Sequence, residues 1–111
     1  MKTLVATVAA SALALSAGAA SAQEIPIGVM LGYTGPIESL TPGMADAAEL
    51  ALTEVNEAGG VLDGTMLTPV RADSTCIDSA AATAAAERLV AAEGVPAIMG
   101  ADCSGVTIAT V

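Results

Sequence analysis

Strand-like and helix-like segments alternate along this chain, and that alternation restricts the possible folds more than any single motif does. Short apolar runs favour strands, and a 3-4 spacing of apolar residues favours helices. The predicted elements are strands at residues 24–31, 65–71 and 95–99, helices at residues 42–58 and 80–93, and a last helix beginning at Gly105 or Val106. This order predicts an α/β fold of βαβαβ order, with a parallel sheet and right-handed crossovers.

The first and third strands lack charged residues within their apolar runs and are predicted to be buried on both faces. Thr41 is predicted to cap the first helix, and Asp78 or Ser79 the second. The predicted buried stripes are Met44, Ala47, Ala48, Ala51, Leu52, Val55 and Ala58 in the first helix, and Ala82, Ala85, Ala86, Leu89 and Val90 in the second.

The first 22 residues have the three parts of a secretory signal peptide. Met1-Lys2 is a short basic start, residues 4–15 form an apolar core, and Ala20-Ser21-Ala22 is a small-x-small cleavage site. The apolar core is about a dozen residues long, whereas a membrane span needs about 20. We therefore expect cleavage after Ala22, a periplasmic product, and a folded part at residues 23–111.

The charge and composition of the chain exclude several classes of function. The 111 residues carry a net charge of −9, from 3 basic and 12 acidic residues, and they include no histidine. Such an acidic chain is a poor partner for nucleic acid. Histidine is unavailable as a catalytic base or metal ligand, and neither a phosphate-binding glycine motif nor G-x-S-x-G is present. We expect no enzymatic activity, no catalytic residue, no metal and no cofactor.

The two cysteines follow consecutive predicted strands, Cys76 the second and Cys103 the third. The carboxyl ends of parallel strands share one edge of a sheet, so a disulfide between them is geometrically reasonable. Two cysteines in an exported chain favour that disulfide over a metal site, for which the other ligands are missing. The bridge would close a loop of about 28 residues and contribute roughly 3 kcal/mol.

Small polar residues follow the third predicted strand directly, and they form the candidate ligand site. After Gly100 the chain reads Ala-Asp-Cys-Ser-Gly-Val-Thr, where Ser104 is predicted to cap the last helix. A helix start presents unpaired N–H groups and the positive end of a dipole, which suit a carboxylate. The candidate ligand-binding residues are Ser104, Cys103, Gly105 and Thr107. A plain capping role for Ser104 and a packing role for Thr107 are the alternatives.

The order of the strands predicts where this site lies. Pro69 removes a backbone donor from the second strand, which should therefore lie at an edge, as it does in a sheet ordered 2-1-3. Ligands of such sheets bind beyond the carboxyl ends of the strands, here between the loops at residues 32–40 and 100–107. Asp73, in the loop after the second predicted strand, is interpreted as a turn-forming residue or as a ligand contact.

Four motifs together resemble the periplasmic binding proteins of branched-chain amino acid ABC transporters. They are I-G-V-x-x-G-x-T-G-P, V-N-E-A-G-G-V-L-D-G, D-S-x-C-x-D-x-x-x-A and G-x-x-C-S-G-V-T, and the resemblance extends over residues 24–111. It implies a type I periplasmic binding protein of two α/β lobes, of which residues 23–111 are the N-terminal part of the first. It also implies a membrane permease as partner, an amino acid α-carboxylate bound at Ser104, and the Cys76–Cys103 bridge.

The sequence departs from that family at one ligand-contacting position, where an aromatic residue of the first loop is replaced by Leu40. The ligand expected from the resemblance is therefore a branched-chain or related amino acid, or an amide- or urea-like small solute. Two alternatives to a transport protein stay open. The lobe is also suited to the ligand-sensing input domain of a receptor, and the chain is also compatible with a truncated, non-functional product.

Overall fold

The computed structural model describes residues 23–111, so the predicted signal peptide lies outside the described residues. The strands are β1 (Glu24–Leu31), β2 (Met66–Asp73) and β3 (Ile98–Gly100). The helices are α1 (Thr41–Glu57), α2 (Ser79–Glu87) and α3 (Ser104–Thr110), and a π-helical segment at Arg88–Ala92 continues α2. All pairs are parallel and the sheet order is β2-β1-β3, which confirms the predicted α/β fold and the edge position of β2. Within residues 23–111, no helix combines the length and apolarity needed to cross a membrane.

β1 is the centre of the core, because its side chains alternate between the two faces of the sheet. Val29 and Leu31 pack with Ala45 of α1 on one face. Met30 packs on the other face, in a cluster completed by Ala72, Ala86, Leu89 and Val95. Val29, Met30 and Leu31 are each only 1% exposed. The two layers of helices therefore cover both faces of β1, as the apolar run predicted.

The predicted start and buried face of α1 are partly wrong. Thr41 is the first helical residue instead of the cap, and its hydroxyl donates to Glu38 O at 3.1 Å. The buried stripe is centred on Thr41 and Ala45, because the small Ala45 side chain allows close contact with Val29 and Leu31. Of the predicted apolar face, Ala48, Leu52 and Val55 are half-buried, whereas Met44, Ala47, Ala51 and Ala58 are exposed.

α2 begins one residue before the predicted start, with one of the two predicted residues as its cap, and it also ends differently. Asp78 caps it, with Oδ1 accepting a hydrogen bond from Ala81 N at 3.0 Å. Ala82, Ala86 and Leu89 of the predicted stripe are buried, whereas Val90 is 59% exposed. Val90 lies in the π-helical segment, where the wider turn shifts each following side chain away from the face set by an α-helix.

β2 and β3 have different bounds from those predicted. β2 continues to Asp73 because the parallel ladder runs on to the Leu31 and Asp73 pair. β3 has three residues instead of five, and Met99 is 40% exposed, so the predicted burial of this strand on both faces is wrong. Val95 instead packs in the core, 4% exposed, before the strand begins.

The outer edge of β2 is partly closed by a side chain of α1. Asn56 Nδ2 donates to Leu67 O at 2.8 Å, and Leu67 N donates to Asn56 Oδ1 at 2.8 Å. Pro69 carries no N–H group at all. Asn56 therefore takes the place of a neighbouring strand at Leu67, on an edge that would otherwise present free backbone groups.

Candidate ligand site at the carboxyl edge of the sheet

Three loops meet where the parallel strands end, and they form the candidate site. Loop 1 is residues 32–40 after β1, loop 2 is residues 74–78 after β2, and loop 3 is residues 101–103 between β3 and α3. Each strand leads directly into its loop, so the loops lie side by side at one edge of the sheet. One disulfide and two aspartate side chains connect them.

The disulfide joins loop 2 to loop 3 and confirms the predicted pairing. Cys76 and Cys103 are bonded, with their Cα atoms 5.2 Å apart. Both side chains are half-buried, and residues 23–111 contain no free cysteine. The bond lies next to Ser104, so it limits how far the start of α3 can move away from loop 2.

Asp102 joins loop 3 to both other loops. Its Oδ2 accepts a hydrogen bond from Gly32 N at 2.8 Å, and its Oδ1 accepts one from Ser74 Oγ at 3.1 Å. Ser74 is completely buried. Asp102 is not among the residues predicted from the sequence. Its position two residues after the end of β3 and two residues before Ser104 is the signal that was available.

Asp73 joins loop 1 to loop 2. Its Oδ1 accepts hydrogen bonds from Thr75 N at 2.8 Å and from Thr34 N at 3.3 Å, and its Oδ2 accepts one from Thr34 Oγ1. The bond to Thr75, two residues on, confirms the interpretation of Asp73 as a turn-forming residue. Burial raises the pKa of this carboxyl, but the hydrogen bonds from Thr34 and Thr75 outweigh it, and the net pKa lies below the ordinary value.

The lowered pKa of Asp73 predicts that part of the stability is lost in acid. A carboxyl whose pKa is lower in the folded state stabilises the protein above its unfolded pKa of about 3.9, and the contribution disappears as the pH falls through the folded pKa. We expect Asp73→Asn to lower the free energy of unfolding by about 1 kcal/mol at pH 7, and by clearly less near pH 2. Urea denaturation at both pH values measures this difference.

Asp63→Asn is the matched control for this prediction. Asp63 is exposed, lies in the turn before β2 and has a φ of 63°, a conformation that asparagine tolerates as well as aspartate does. The control should match the wild type at both pH values. An Asp73→Asn effect that is equal at pH 7 and pH 2 would contradict the electrostatic explanation.

The four candidate ligand-binding residues lie at the start of α3. Ser104 is the first residue of the helix and Cys103 precedes it, so the prediction that Ser104 is the cap is wrong by one position. The helix begins early because Thr107 closes its first turn: Thr107 N donates to Cys103 O at 2.9 Å, and Thr107 Oγ1 lies 2.6 Å from Ala101 O and 2.9 Å from Cys103 O.

The first turn of α3 is open to a ligand. Ser104 and Gly105 are exposed, and a Cβ atom on Gly105 would meet nothing within 4 Å. The first N–H groups of a helix have no acceptor within the helix, so this turn can offer backbone donors beside the Ser104 hydroxyl. A role for Ser104, Cys103, Gly105 or Thr107 as a ligand contact stays a prediction.

Tyr33 in loop 1 is held in place from two sides. Its ring packs against the Val29, Leu31 and Ala45 cluster, and its hydroxyl donates to Val29 O at 3.3 Å. The guanidinium carbon of Arg71 lies 5.6 Å from the ring centroid, close enough for a cation–π contact. Burial raises the pKa of Tyr33. The chain's one aromatic side chain therefore fixes the start of loop 1 against the sheet.

Together, the three linked loops and the exposed start of α3 form an open candidate site at the carboxyl edge of an α/β fold. The chain belongs to the periplasmic binding protein family, whose sequence pattern matches residues 24–111. The similar solved structures and curated relatives are named as binding proteins, not as enzymes.

Similar proteins agree on this family and on the fold. A Leu/Ile/Val-binding protein homolog 7 from Brucella abortus is 37% identical over 103 residues, which are 92% of this chain and 25% of the relative. The branched-chain amino acid transporter substrate-binding protein LivJ from Streptococcus pneumoniae, solved with isoleucine, is 31% identical. Its TM-score is 0.72, over 80% of this chain and 25% of that one. The leucine-binding protein LivK from Thermotoga maritima is 26% identical with a TM-score of 0.66, over 78% and 23%. The chain thus spans about a quarter of the length of these relatives.

Proposed function

We propose that this chain is the N-terminal part of the first lobe of an exported solute-binding protein, which supplies a branched-chain or related amino acid to the membrane permease of an ABC transporter. In this proposal residues 1–22 are a signal peptide cleaved after Ala22, and the product works in the periplasm. Relatives named as Leu/Ile/Val-binding proteins support the ligand class. The Cys76–Cys103 disulfide supports an oxidising compartment outside the cytoplasm.

The observation that carries the proposal is the exposed first turn of α3, next to loops that are fixed to one another. The ligand's α-carboxylate would accept hydrogen bonds from the Ser104 hydroxyl and from backbone N–H groups at Ser104 and Gly105. Cys103 fixes this turn through the disulfide, and Thr107 supports it through the carbonyl groups of Ala101 and Cys103. Charge-assisted hydrogen bonds of this type are stronger than neutral ones.

The ligand's side chain is proposed to lie towards the end of loop 1. Leu40 is 63% exposed there, directly before α1, and offers an apolar surface at the same edge of the sheet. The aliphatic side chain of a branched-chain or related amino acid is compatible with this surface. The rest of the ligand would be bound by parts of the protein beyond this chain.

Replacing Ser104 by alanine tests the proposal. We expect Ser104→Ala to weaken binding about tenfold or more, because a hydrogen bond to a charged group contributes about 1.5–3 kcal/mol. The measurement is calorimetric titration of the mature protein, recovered from the periplasm of its native host, with leucine, isoleucine and valine. An amide and urea complete the panel.

Ser79→Ala is the matched control. Ser79 is the first residue of α2 as Ser104 is of α3, and it is exposed at the same edge of the sheet. This variant should bind like the wild type. Equal affinity of Ser104→Ala and Ser79→Ala would contradict the assignment of the carboxylate to Ser104.

A further inference from the structure

The hydrogen-bonded ladder between β1 and β3 is short, and the Asp102 side chain accepts the next hydrogen bond from the chain after β1. The last pair is Met30 with Gly100. Two residues after Met30, at the first position of loop 1, the N–H group of the buried Gly32 points to the same side, where β3 has already ended. Asp102 Oδ2 accepts that hydrogen bond at 2.8 Å. The carboxylate thus supplies the acceptor that a longer β3 would have supplied from its backbone.

The second oxygen of Asp102 reaches the end of β2. Oδ1 accepts the hydrogen bond of Ser74 Oγ at 3.1 Å, while Ser74 N donates to Leu31 O at 2.9 Å. Ser74 is 0% exposed, so its hydroxyl depends on a partner inside the protein. One carboxylate is therefore bonded to the ends of both other strands.

We propose that Asp102 is a positioning residue for ligand binding: it fixes the start of α3, and with it Ser104, at a set distance from loop 1. This inference rests on the proposed function. The disulfide attaches the Ser104 turn to loop 2, and α3 packs against α2, where Thr83 Oγ1 donates to Ala109 O at 3.1 Å. These contacts attach α3 to loop 2 and to α2, not to loop 1. The bond from Gly32 to Asp102 adds an attachment on the loop 1 side. A binding group must be held to within about half an ångström to keep its geometry.

Substitution at Asp102 separates geometry from charge. Asp102→Ala leaves the Gly32 N–H group and the Ser74 hydroxyl without their acceptor, and we expect affinity to fall about tenfold or more. Asp102→Asn keeps the shape, because its amide oxygen can accept from Gly32 N and its amide nitrogen can donate to Ser74 Oγ. We expect Asp102→Asn to restore affinity to within about threefold of the wild type.

Asn56→Ala is a control that lowers stability without changing the position of the Ser104 turn. Asn56, like Asp102, makes two side-chain hydrogen bonds. Both are with backbone atoms of Leu67, which lies near the start of β2, far along the strand from the site. Urea denaturation of each variant records the change in stability. Asn56→Ala should be destabilised to a similar extent as Asp102→Ala while it binds like the wild type.

The test is calorimetric titration of the mature protein, recovered from the periplasm of its native host, with isoleucine. Weak binding by Asp102→Ala, recovery in Asp102→Asn and normal binding by Asn56→Ala support the positioning role. If the wild type binds and Asp102→Ala binds equally well, or if Asn56→Ala loses as much affinity, the positioning role is wrong and the proposed function stands. If the wild type binds neither isoleucine nor leucine nor valine, the proposed function fails and this proposal fails with it.

Discussion

Exchanging Gly100 for alanine is expected to lower the free energy of unfolding by about 3 kcal/mol or more. A Cβ atom on Gly100 would overlap Met30 O, a backbone atom of the central strand that cannot turn away as a side chain can. Gly100 also has a φ of 132°, which an alanine adopts only with strain. Urea denaturation of Gly100→Ala against the wild type measures the loss.

Gly43→Ala is the control for the Gly100 substitution. Gly43 lies in the first turn of α1, where a Cβ atom would meet nothing within 4 Å. Because alanine favours a helix over glycine, this variant should be as stable as the wild type or up to about 1 kcal/mol more stable. A Gly100→Ala protein of wild-type stability would show that β3 does not approach β1 as closely as the structure describes.

Removing the disulfide is expected to destabilise the protein by about 3 kcal/mol. The bond connects residues 27 positions apart. In the chain-entropy model, a crosslink that closes a loop of this length lowers the conformational entropy of the unfolded chain and so raises its free energy by about 3 kcal/mol. The measurement is the unfolding free energy of the Cys76→Ser, Cys103→Ser double variant compared with the oxidised wild type.

Reduction of the wild type is a second route to the same state. Wild-type protein unfolded in the presence of a thiol reductant should match the double variant closely, because both lack the crosslink. Stability that does not change on reduction would contradict a structural role for the Cys76–Cys103 bond.

The sequence was sufficient to predict the order of the strands and the position of the edge. The alternation of apolar runs and helical spacing led to a parallel sheet, and Pro69 led to β2 as its edge strand. The bounds of β1 also followed directly, since it is a continuous apolar run that both helical layers cover. These features depend on local patterns, which a single sequence contains.

Details that depend on packing between elements were not predictable. Met44 and Ala45 of α1 each fit an apolar stripe in the sequence. Ala45 is the one that faces the sheet, because it packs against Val29 and Leu31. Val90 turned outwards because of a π-helical segment, for which no pattern in the sequence was recognised. The predicted β3 is too long because it includes Val95. That residue instead packs in the core before the strand begins.

The candidate site was predicted in part. The cysteine spacing and the shared edge of the strands led to the disulfide, and the small polar residues after β3 led to the start of α3. The connections through Asp73 and Asp102 were less visible, because their partners lie 39 and 70 positions away, at Thr34 and Gly32. An acidic residue at a strand end predicts a turn from local sequence alone, and only the folded chain brings the second partner to it.

The central claim is that the start of α3 binds the carboxylate of an amino acid, and the most direct test compares ligands that differ only there. Calorimetric titration of the full-length native protein with leucine and with 3-methylbutylamine, its decarboxylated counterpart, makes that comparison. The account predicts that leucine binds and that the amine binds at least about tenfold more weakly, since it cannot accept hydrogen bonds from the Ser104 turn. Equal binding of the two compounds, or no binding of leucine, isoleucine or valine, would contradict it.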